Sequence, residues 1–274
     1  MNRTLARFLS ALAGLALIAG ACADDLVIPG SGSPQYVLGE LAKEFNARQS
    51  RHRVSIPAST GTSGALRDVE QGLTLVGRVG RPLTESELGR GLRYIALGRD
   101  AVVFVAGAAV SARSISLAQA RDVYAGRITD WRELGAQPGP IRAIGREPTD
   151  SSRQALDRVI KGFAQLEFHA DVKLVLFDPQ VVELLDRYPT SLAFLNRSAL
   201  FAAKSRINAL ALDGVEPTID ALASGRYPLW VEFGLVHKAG ALGAAGQAFL
   251  AFIHSPSGER LLREHGVLPL PAAN

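Results

Sequence analysis

The segment Gly145-Arg146-Glu147-Pro148-Thr149-Asp150-Ser151-Ser152-Arg153 sets one arginine and a group of short hydroxyl and acidic residues directly ahead of a helix-compatible run, Gln154 to Ile160. Backbone N–H groups in the first turn of a helix have no partner within it, and the helix dipole puts partial positive charge at the same end. Such an end favours an anion. A guanidinium adds a planar fork of donors that matches the paired oxygens of carboxylate or phosphate. The chemistry this spacing supports is binding of an oxyanion, not reaction with one.

Two further loops of similar composition lie upstream. Leu26-Val27-Ile28 reads as a short strand entering Pro29-Gly30-Ser31-Gly32-Ser33-Pro34, after which Val37, Leu38, Leu41, Ala42 and Phe45 recur at helical spacing. Val54-Ser55-Ile56 alternates and enters Ser59-Thr60-Gly61-Thr62-Ser63-Gly64, followed by Leu66, Val69 and Leu73 on another helical face. Ser, Thr and Asp are also leading N-cap residues, which satisfy a helix's own N–H groups without any ligand. For each residue alone both readings stay open. Three such loops after three strands shift the balance, because loops at the carboxyl ends of strands in an open α/β sheet converge on one crevice. The candidate binding set is Ser31, Gly32, Ser33, Thr62, Ser63, Arg146, Asp150, Ser151 and Ser152.

The elements that must position these loops follow from hydrophobic patterning. Ala101 to Val105 is a continuous apolar run of the kind buried on both faces. Leu117 to Tyr124 predicts a helix, Ile141 to Ile144 and Leu192 to Leu195 predict strands, and Leu229 to Val236 is a second long apolar strand. Strands alternating with helices predict an α/β protein with parallel sheets. No low-complexity linker interrupts the chain, so two lobes would be joined by ordered strands. Arg78 and Arg81 flank a glycine turn where a solvated role and an anion-contacting role are equally open. Trp131, Phe104 and Phe233 sit in apolar or turn contexts and read as core.

The chain has 274 residues, 47% of them hydrophobic, enough for a substantial core. Its start is basic (Arg3, Arg7), then apolar from Phe8 to Ile18, then rich in small residues, the pattern of a secretory signal peptide over residues 1–23. Ala21-Cys22-Ala23 fits release before Asp24, whereas Ala19-Gly20-Ala21-Cys22 resembles a lipobox that would anchor the protein through lipidated Cys22. The expected location is periplasmic or otherwise exported. Cys22 is the only cysteine, which rules out an intrachain disulfide and a thiolate metal site. The formal charge is +4, and without the two signal-peptide arginines +2. This mild, scattered charge does not make a nucleic-acid footprint.

Enzymatic signatures are lacking. There is no G-x-S-x-G elbow, no phosphate-binding G-x-x-x-x-G-K-[ST] loop and no H-E-x-x-H zinc motif, and the five histidines are scattered. No cofactor, no metal site and no catalytic residue are expected.

Three segments together resemble the periplasmic phosphate-binding proteins of ABC importers and the wider type II solute-binding family. Asp122-Val123-Tyr124-Ala125-Gly126-Arg127-Ile128-Thr129-Asp130-Trp131, then Gly139-Pro140-Ile141 and Gly145-Arg146-Glu147, is similar to one family signature. Asp213 to Thr218 with Ala223 to Leu229 resembles a second, and Phe249 to Leu270 the family's C-terminal ending. The resemblance implies two α/β lobes, each a sheet flanked by helices, joined by two crossover strands. Lobe 1 would comprise residues 24–103 and 230–274, and lobe 2 residues 104–229. It implies a monomer that captures phosphate in the interlobe cleft and delivers it to an inner-membrane ABC permease. Molybdate, tungstate or sulfate binding is the alternative on the same fold, and a sensory or scaffolding protein with no transport role is the other.

Carried over by position, Ser33 stands at the first-loop hydroxyl, Thr62 at the second-loop serine, Arg146 at the ligand-binding arginine, and Ser151 and Ser152 at the helix-starting end of the third motif. Two departures bear on the ligand. The family's loop at Leu75 to Arg81 often carries a carboxylate that accepts the proton of hydrogen phosphate, and here it carries none. Asp150, conversely, replaces a small hydroxyl residue. Asp150 is expected either to take over that proton-accepting role or to cap the helix that begins at Ser151.

Overall fold

A computed structural model describes residues 24–204 and 207–272. The signal peptide and Cys22 lie outside the described residues. The strands are β1 (Asp24–Val27), β2 (His52–Ser55), β3 (Val76–Val79), β4 (Leu92–Ala106), β5 (Ser114–Ile115), β6 (Arg142–Arg146), β7 (Lys173–Val175), β8 (Ser191–Asn196), β9 (Asn208–Ala209), β10 (Ala211–Leu212), β11 (Trp230–Lys238) and β12 (Leu268–Pro269). The helices are α1 (Gln35–Arg48), α2 (Gly61–Glu70), α3 (Glu85–Gly89), α4 (Leu117–Tyr124), α5 (Ser151–Val159), α6 (Asp178–Arg187), α7 (Ile219–Ala223), α8 (Gly243–Ile253) and α9 (Pro256–Glu264).

A central sheet runs β3-β11-β4-β8-β6-β7, with β12 and β9 added beside β4. β1 and β2 pair in parallel, and a parallel bridge between Gly30 and Arg78 continues that pair onto β3. A Cβ at Gly30 would lie 2.0 Å from the Arg78 carbonyl oxygen, and its φ is +134°. Only glycine lets the chain close so tightly on β3 there.

The parallel-sheet expectation is half right. β6 runs parallel to β7 and β8, but β4 and β11 run antiparallel to each other and to their neighbours β8 and β3. The physical reason is that both strands belong to two cores. Leu97, Phe233 and Leu235 pack in one cluster with Leu26, Val37, Leu41 and Phe249; Ala101 to Ala106 and Val231 pack in another with Tyr124, Trp131, Ile144 and Phe194. The chain crosses from one core to the other in β4 and returns in β11, which forces opposite directions. β4 begins nine residues before the apolar run read from sequence, because Arg93, Arg99 and Asp100 interrupt the hydrophobic pattern. Leu73, expected on the face of α2, lies beyond its end and is exposed.

The predicted core aromatics behave as such: Phe104, Trp131 and Phe233 are all buried, and the Trp131 indole N–H donates to the Thr190 carbonyl at 2.9 Å. α1 buries Val37, Leu38, Leu41, Ala42 and Phe45, one face of an amphipathic helix. Burying one such aliphatic side chain is worth about 1.5–3 kcal/mol. That packing, more than helix propensity, holds the first loop against the second.

Candidate functional site

The loops after β1 and β2 meet the loops after β6 and β7 across a cleft of about 210 Å³. Ser31, Gly32 and Ser59 to Thr62 form one wall; Glu147, Thr149, Asp150, Ser151, Leu176 and Phe177 form the other. The walls converge at Gly80, just after β3. A Cβ there would lie 2.3 Å from the Ser151 Oγ and 2.7 Å from the Ser31 Oγ, so its missing side chain lets the two hydroxyls converge. Thr62 Oγ1 accepts the Gly80 N–H at 3.1 Å and completes the group.

Helix ends point to the same place. Thr60 gives α2 no side-chain cap, so first-turn donors such as the Thr62 and Ser63 N–H groups remain available for a ligand, whereas at the start of α6 Gln180 Oε1 accepts the Leu176 and Phe177 N–H groups and Pro179 has none to give. α5 differs. Asp150 Oδ1 accepts the N–H groups of Ser152 at 3.0 Å and Arg153 at 3.1 Å, an N-cap of the kind its sequence position allows.

Arg146 does not line the cleft. It ends β6, is 1% exposed, and turns both Nη groups on its neighbours while Nε is buried without a partner. Nη1 pairs with Asp178, while Nη2 donates to Asp150 Oδ2 at 2.6 Å and to the Leu176 carbonyl at 2.9 Å. Burial opposes its charge, but the carboxylates of Asp178 and Asp150 outweigh that and hold the guanidinium above its ordinary range. Two acids share this one cation. Burial pushes Asp178 up to about 6, with Asp150 adding repulsion, and burial likewise raises Asp150. With all three ionised, the group carries a net charge of −1.

The expected site residues therefore separate. Ser31, Gly32, Thr62, Asp150 and Ser151 line the cleft together. Ser33 is buried beside it with an Oγ that has no partner. The Ser63 side chain is exposed and outside the lining, leaving only its backbone N–H at the site. Ser152 is fully buried, and its Oγ donates to Asn196 Oδ1 at 2.7 Å. It braces α5 against β8 instead of facing the cleft.

The open question at Arg78 and Arg81 also resolves. Arg78 is fully buried beneath the first loop, where Nε donates to the Ser31 carbonyl at 2.8 Å, Nη2 to the Pro57 carbonyl at 2.9 Å, and Nη1 to the Ile28 carbonyl. Burial pushes it down to about 10. Arg81 forms a fork on Glu87, both contacts at 2.8 Å. Arg78 clamps the first loop from behind; Arg81 holds α3.

Residues missed in the sequence lie in two places. Ser59 and Thr60 belong to a loop that was recognised, and Ser59 Oγ donates to the Gly30 carbonyl at 3.0 Å, tying the first and second loops together. Leu176, Phe177 and Asp178 were not recognised at all. Their signal was present: Asp178-Pro179 opens a helix whose buried positions Val181, Val182 and Leu185 follow helical spacing.

A two-walled cleft between two α/β cores joined by two crossing strands, lined by hydroxyls and the uncapped start of α2, defines a solute-binding architecture. A family model described as a PBP superfamily domain matches residues 19–257, and the chain belongs to that superfamily. Similar solved structures carry the same two-lobe type II arrangement. One, a Clostridium perfringens protein described as a candidate phosphate ABC transporter substrate-binding protein with bound phosphate, has a TM-score of 0.80 at 23% identity and covers 90% of this chain and 100% of its own. Among curated relatives, the phosphate-binding protein PstS of Bacillus subtilis (strain 168) is 24% identical, over 90% of this chain and 81% of its own length. The phosphate-binding protein PstS of Borreliella burgdorferi is 21% identical, over 88% of each.

Proposed function

We propose that this chain is an exported, non-enzymatic solute-binding protein that captures phosphate between its lobes and presents it to an inner-membrane ABC permease. The observation that carries the reading is the convergence of Ser31, Thr62 and Ser151 at Gly80, with the uncapped start of α2 beside them. These groups are neutral donors, and neutral donors in a site that excludes water hold an oxyanion without a compensating cation. The relatives named above point the same way by their names. The lobe division we adopt is 24–103 with 230–274, and 104–229; the change of core between Leu97 and Ala101 in β4 and between Val231 and Phe233 in β11 falls within a few residues of these bounds. Signal residues 1–23 direct export.

Asp150 decides which oxyanion. Among the described residues lining the cleft, the charged groups are Glu147 and Asp150, both acidic. Asp150 Oδ1 is occupied by the cap and Oδ2 by Arg146, yet each carboxylate oxygen has two lone pairs, so Oδ2 keeps one for the cleft. Capping and proton acceptance are compatible here. A phosphate that carries a proton donates to that oxygen, whereas sulfate, fully ionised, meets only repulsion.

A thermal-shift series with phosphate, sulfate, molybdate and tungstate tests the reading, since a ligand that binds only the folded state raises the melting temperature. Phosphate is expected to give the largest shift. A larger shift with a fully ionised anion would transfer the function to that ligand, and no shift with any of the four would favour a scaffolding role.

A further inference from the structure

Glu147 and Asp150 open and close the turn between β6 and α5, where the Asp150 N–H donates to the Glu147 carbonyl at 3.0 Å, and both residues line the cleft. Asp150 is tied to Arg146 and to the first turn of α5. Glu147 is exposed, and its carboxylate makes no hydrogen bond or ion pair with a described residue. It is free to meet a ligand.

The nearby cations are already engaged. Arg146 is shared by Asp150 and Asp178, Arg78 is turned on the carbonyls behind the first loop, and Arg81 is forked on Glu87. Asp178 in turn repels Asp100, fully buried on β4. The wall formed by Ser31, Gly32 and Ser59 to Thr62 has no titratable group. Arg78 and Arg146, set against Asp150, Asp178 and Glu147, therefore leave one negative charge in excess in and behind the two walls. A ligand held there by neutral hydroxyls is repelled in proportion to its own charge.

Phosphate near neutral pH is a mixture of a dianion with one proton and a monoanion with two. The dianion can donate to Asp150 or to Glu147 but not to both, and it leaves the other carboxylate facing a bare oxygen. The monoanion donates to each acid and carries half the charge. Its two unprotonated oxygens remain for donors such as the Thr62 hydroxyl, whose oxygen accepts the Gly80 N–H and whose proton stays available.

We propose that the cleft takes phosphate as the doubly protonated monoanion, with Glu147 as the second proton acceptor beside Asp150. The inference rests on the phosphate reading of the cleft and adds to it the ionisation state and the role of Glu147. Above the second ionisation of phosphate only the shrinking monoanion fraction is competent to bind, so the apparent Kd should rise about tenfold per pH unit.

Titration calorimetry in paired buffers of different ionisation enthalpy counts the protons exchanged on binding. At about pH 8.5 phosphate arrives as the dianion and should take up about one proton per molecule bound, and at about pH 5.5 none. Capture of the dianion gives the reverse, proton release in acid and no exchange in alkali, and would overturn the inference while leaving the phosphate site standing. Monofluorophosphate, a tetrahedral dianion without a proton across this range, controls for titration of the protein's own groups. It should bind at least tenfold more weakly than phosphate at the acidic pH, or not at all; matching phosphate there, or weakening with pH as steeply as phosphate does, would also overturn the inference. Glu147→Gln, a change at an exposed side chain, should bind phosphate at the alkaline pH at least tenfold more tightly than the parent and with clearly reduced proton uptake. Unchanged uptake and affinity in that variant would remove Glu147 from the role. Failure of phosphate to bind the parent protein at either pH would remove the phosphate reading as well.

Discussion

Replacing Asp150 by Asn separates capping from ligand selection, because the two jobs fall on different oxygens. Oδ1 accepts the Ser152 and Arg153 N–H groups, and an asparagine carbonyl serves that cap about as well as aspartate. Oδ2 faces Arg146 Nη2 at 2.6 Å, where an amide would set donor against donor. Arg146 keeps Asp178 and the Leu176 carbonyl, so no buried charge is orphaned. One charge-assisted hydrogen bond is worth about 1.5–3 kcal/mol, and relief of the buried carboxylate offsets part of it. The expected loss of stability is about 1–2 kcal/mol.

Ligand selection should change far more. Two unit charges about 4 Å apart interact by about 4 kcal/mol at an effective dielectric constant near 20, and since sulfate is a dianion this understates its repulsion by the carboxylate. Recovering a third of that repulsion tightens sulfate about tenfold. Protonated phosphate, by contrast, loses a charged acceptor and weakens by tenfold or more. Phosphate-to-sulfate discrimination should therefore fall about a hundredfold in Asp150→Asn, measured by calorimetry with both anions at low ionic strength alongside a urea melt. A ratio within about threefold of the parent protein's, in a variant that still folds, would refute the assignment and leave Asp150 as a cap alone.

Three other perturbations have definite outcomes. Arg78→Met strips the donors from the buried carbonyls of Ser31, Ile28 and Pro57, each costing about 1–3 kcal/mol when unpaired, so urea denaturation should show a loss of at least about 3 kcal/mol; a loss below about 1 would contradict the clamp. Burial pushes Asp100 up to about 7 and Asp178 up to about 6, both above their unfolded value, so the folded protein holds these protons more tightly and stability should rise as pH falls from about 7 toward 4. Glu87, held down to about 2 first by the Arg81 hydrogen bonds, loses its contribution only below that window, and Asp100→Asn should flatten the melting-temperature profile between pH 5 and about 7.5. Gly80→Ala puts a methyl 2.3 Å from the Ser151 Oγ and 2.7 Å from the Ser31 Oγ, wedging the walls apart; the anion-induced thermal shift should vanish with far-UV circular dichroism unchanged.

Much of the fold was legible because its elements are amphipathic and short. α4 begins and ends where the periodicity of Leu117 to Tyr124 places it, with a Ser116 and Gln119 capping box at its start. Of the crossing strands, β11 was legible almost throughout, β4 only in its apolar part. The residues of β4 that pass between cores, Arg99 and Asp100, are charged, since strand identity there comes from pairing with β11 and not from burial pattern. The site was legible as loops but not as contacts. Sequence identifies Arg146 as an anion binder by type; it cannot show that Asp178, 32 residues on and across β7, already occupies the guanidinium. Ser152 likewise reads as a helix-start hydroxyl until Asn196 Oδ1 on β8 accepts its hydrogen bond.

The two departures from the family pattern are geometrically linked, and that link strengthens the case for Asp150. The loop after β3 lacks the usual carboxylate and presents Gly80, whose bare Cα faces Ser151 on the opposite wall at a distance that leaves no room for a side chain. Asp150, the neighbour of Ser151, lines the same cleft from that opposite wall. An acid on either side would address one shared space, and two at once would repel each other as well as the ligand. At the start of α5 the acid is anchored by Arg146 and two backbone N–H groups. An acceptor held in this way would discriminate by whether the ligand can present a proton there, so the phosphate-to-sulfate ratio, more than either affinity alone, is the quantity the Asp150→Asn comparison reads.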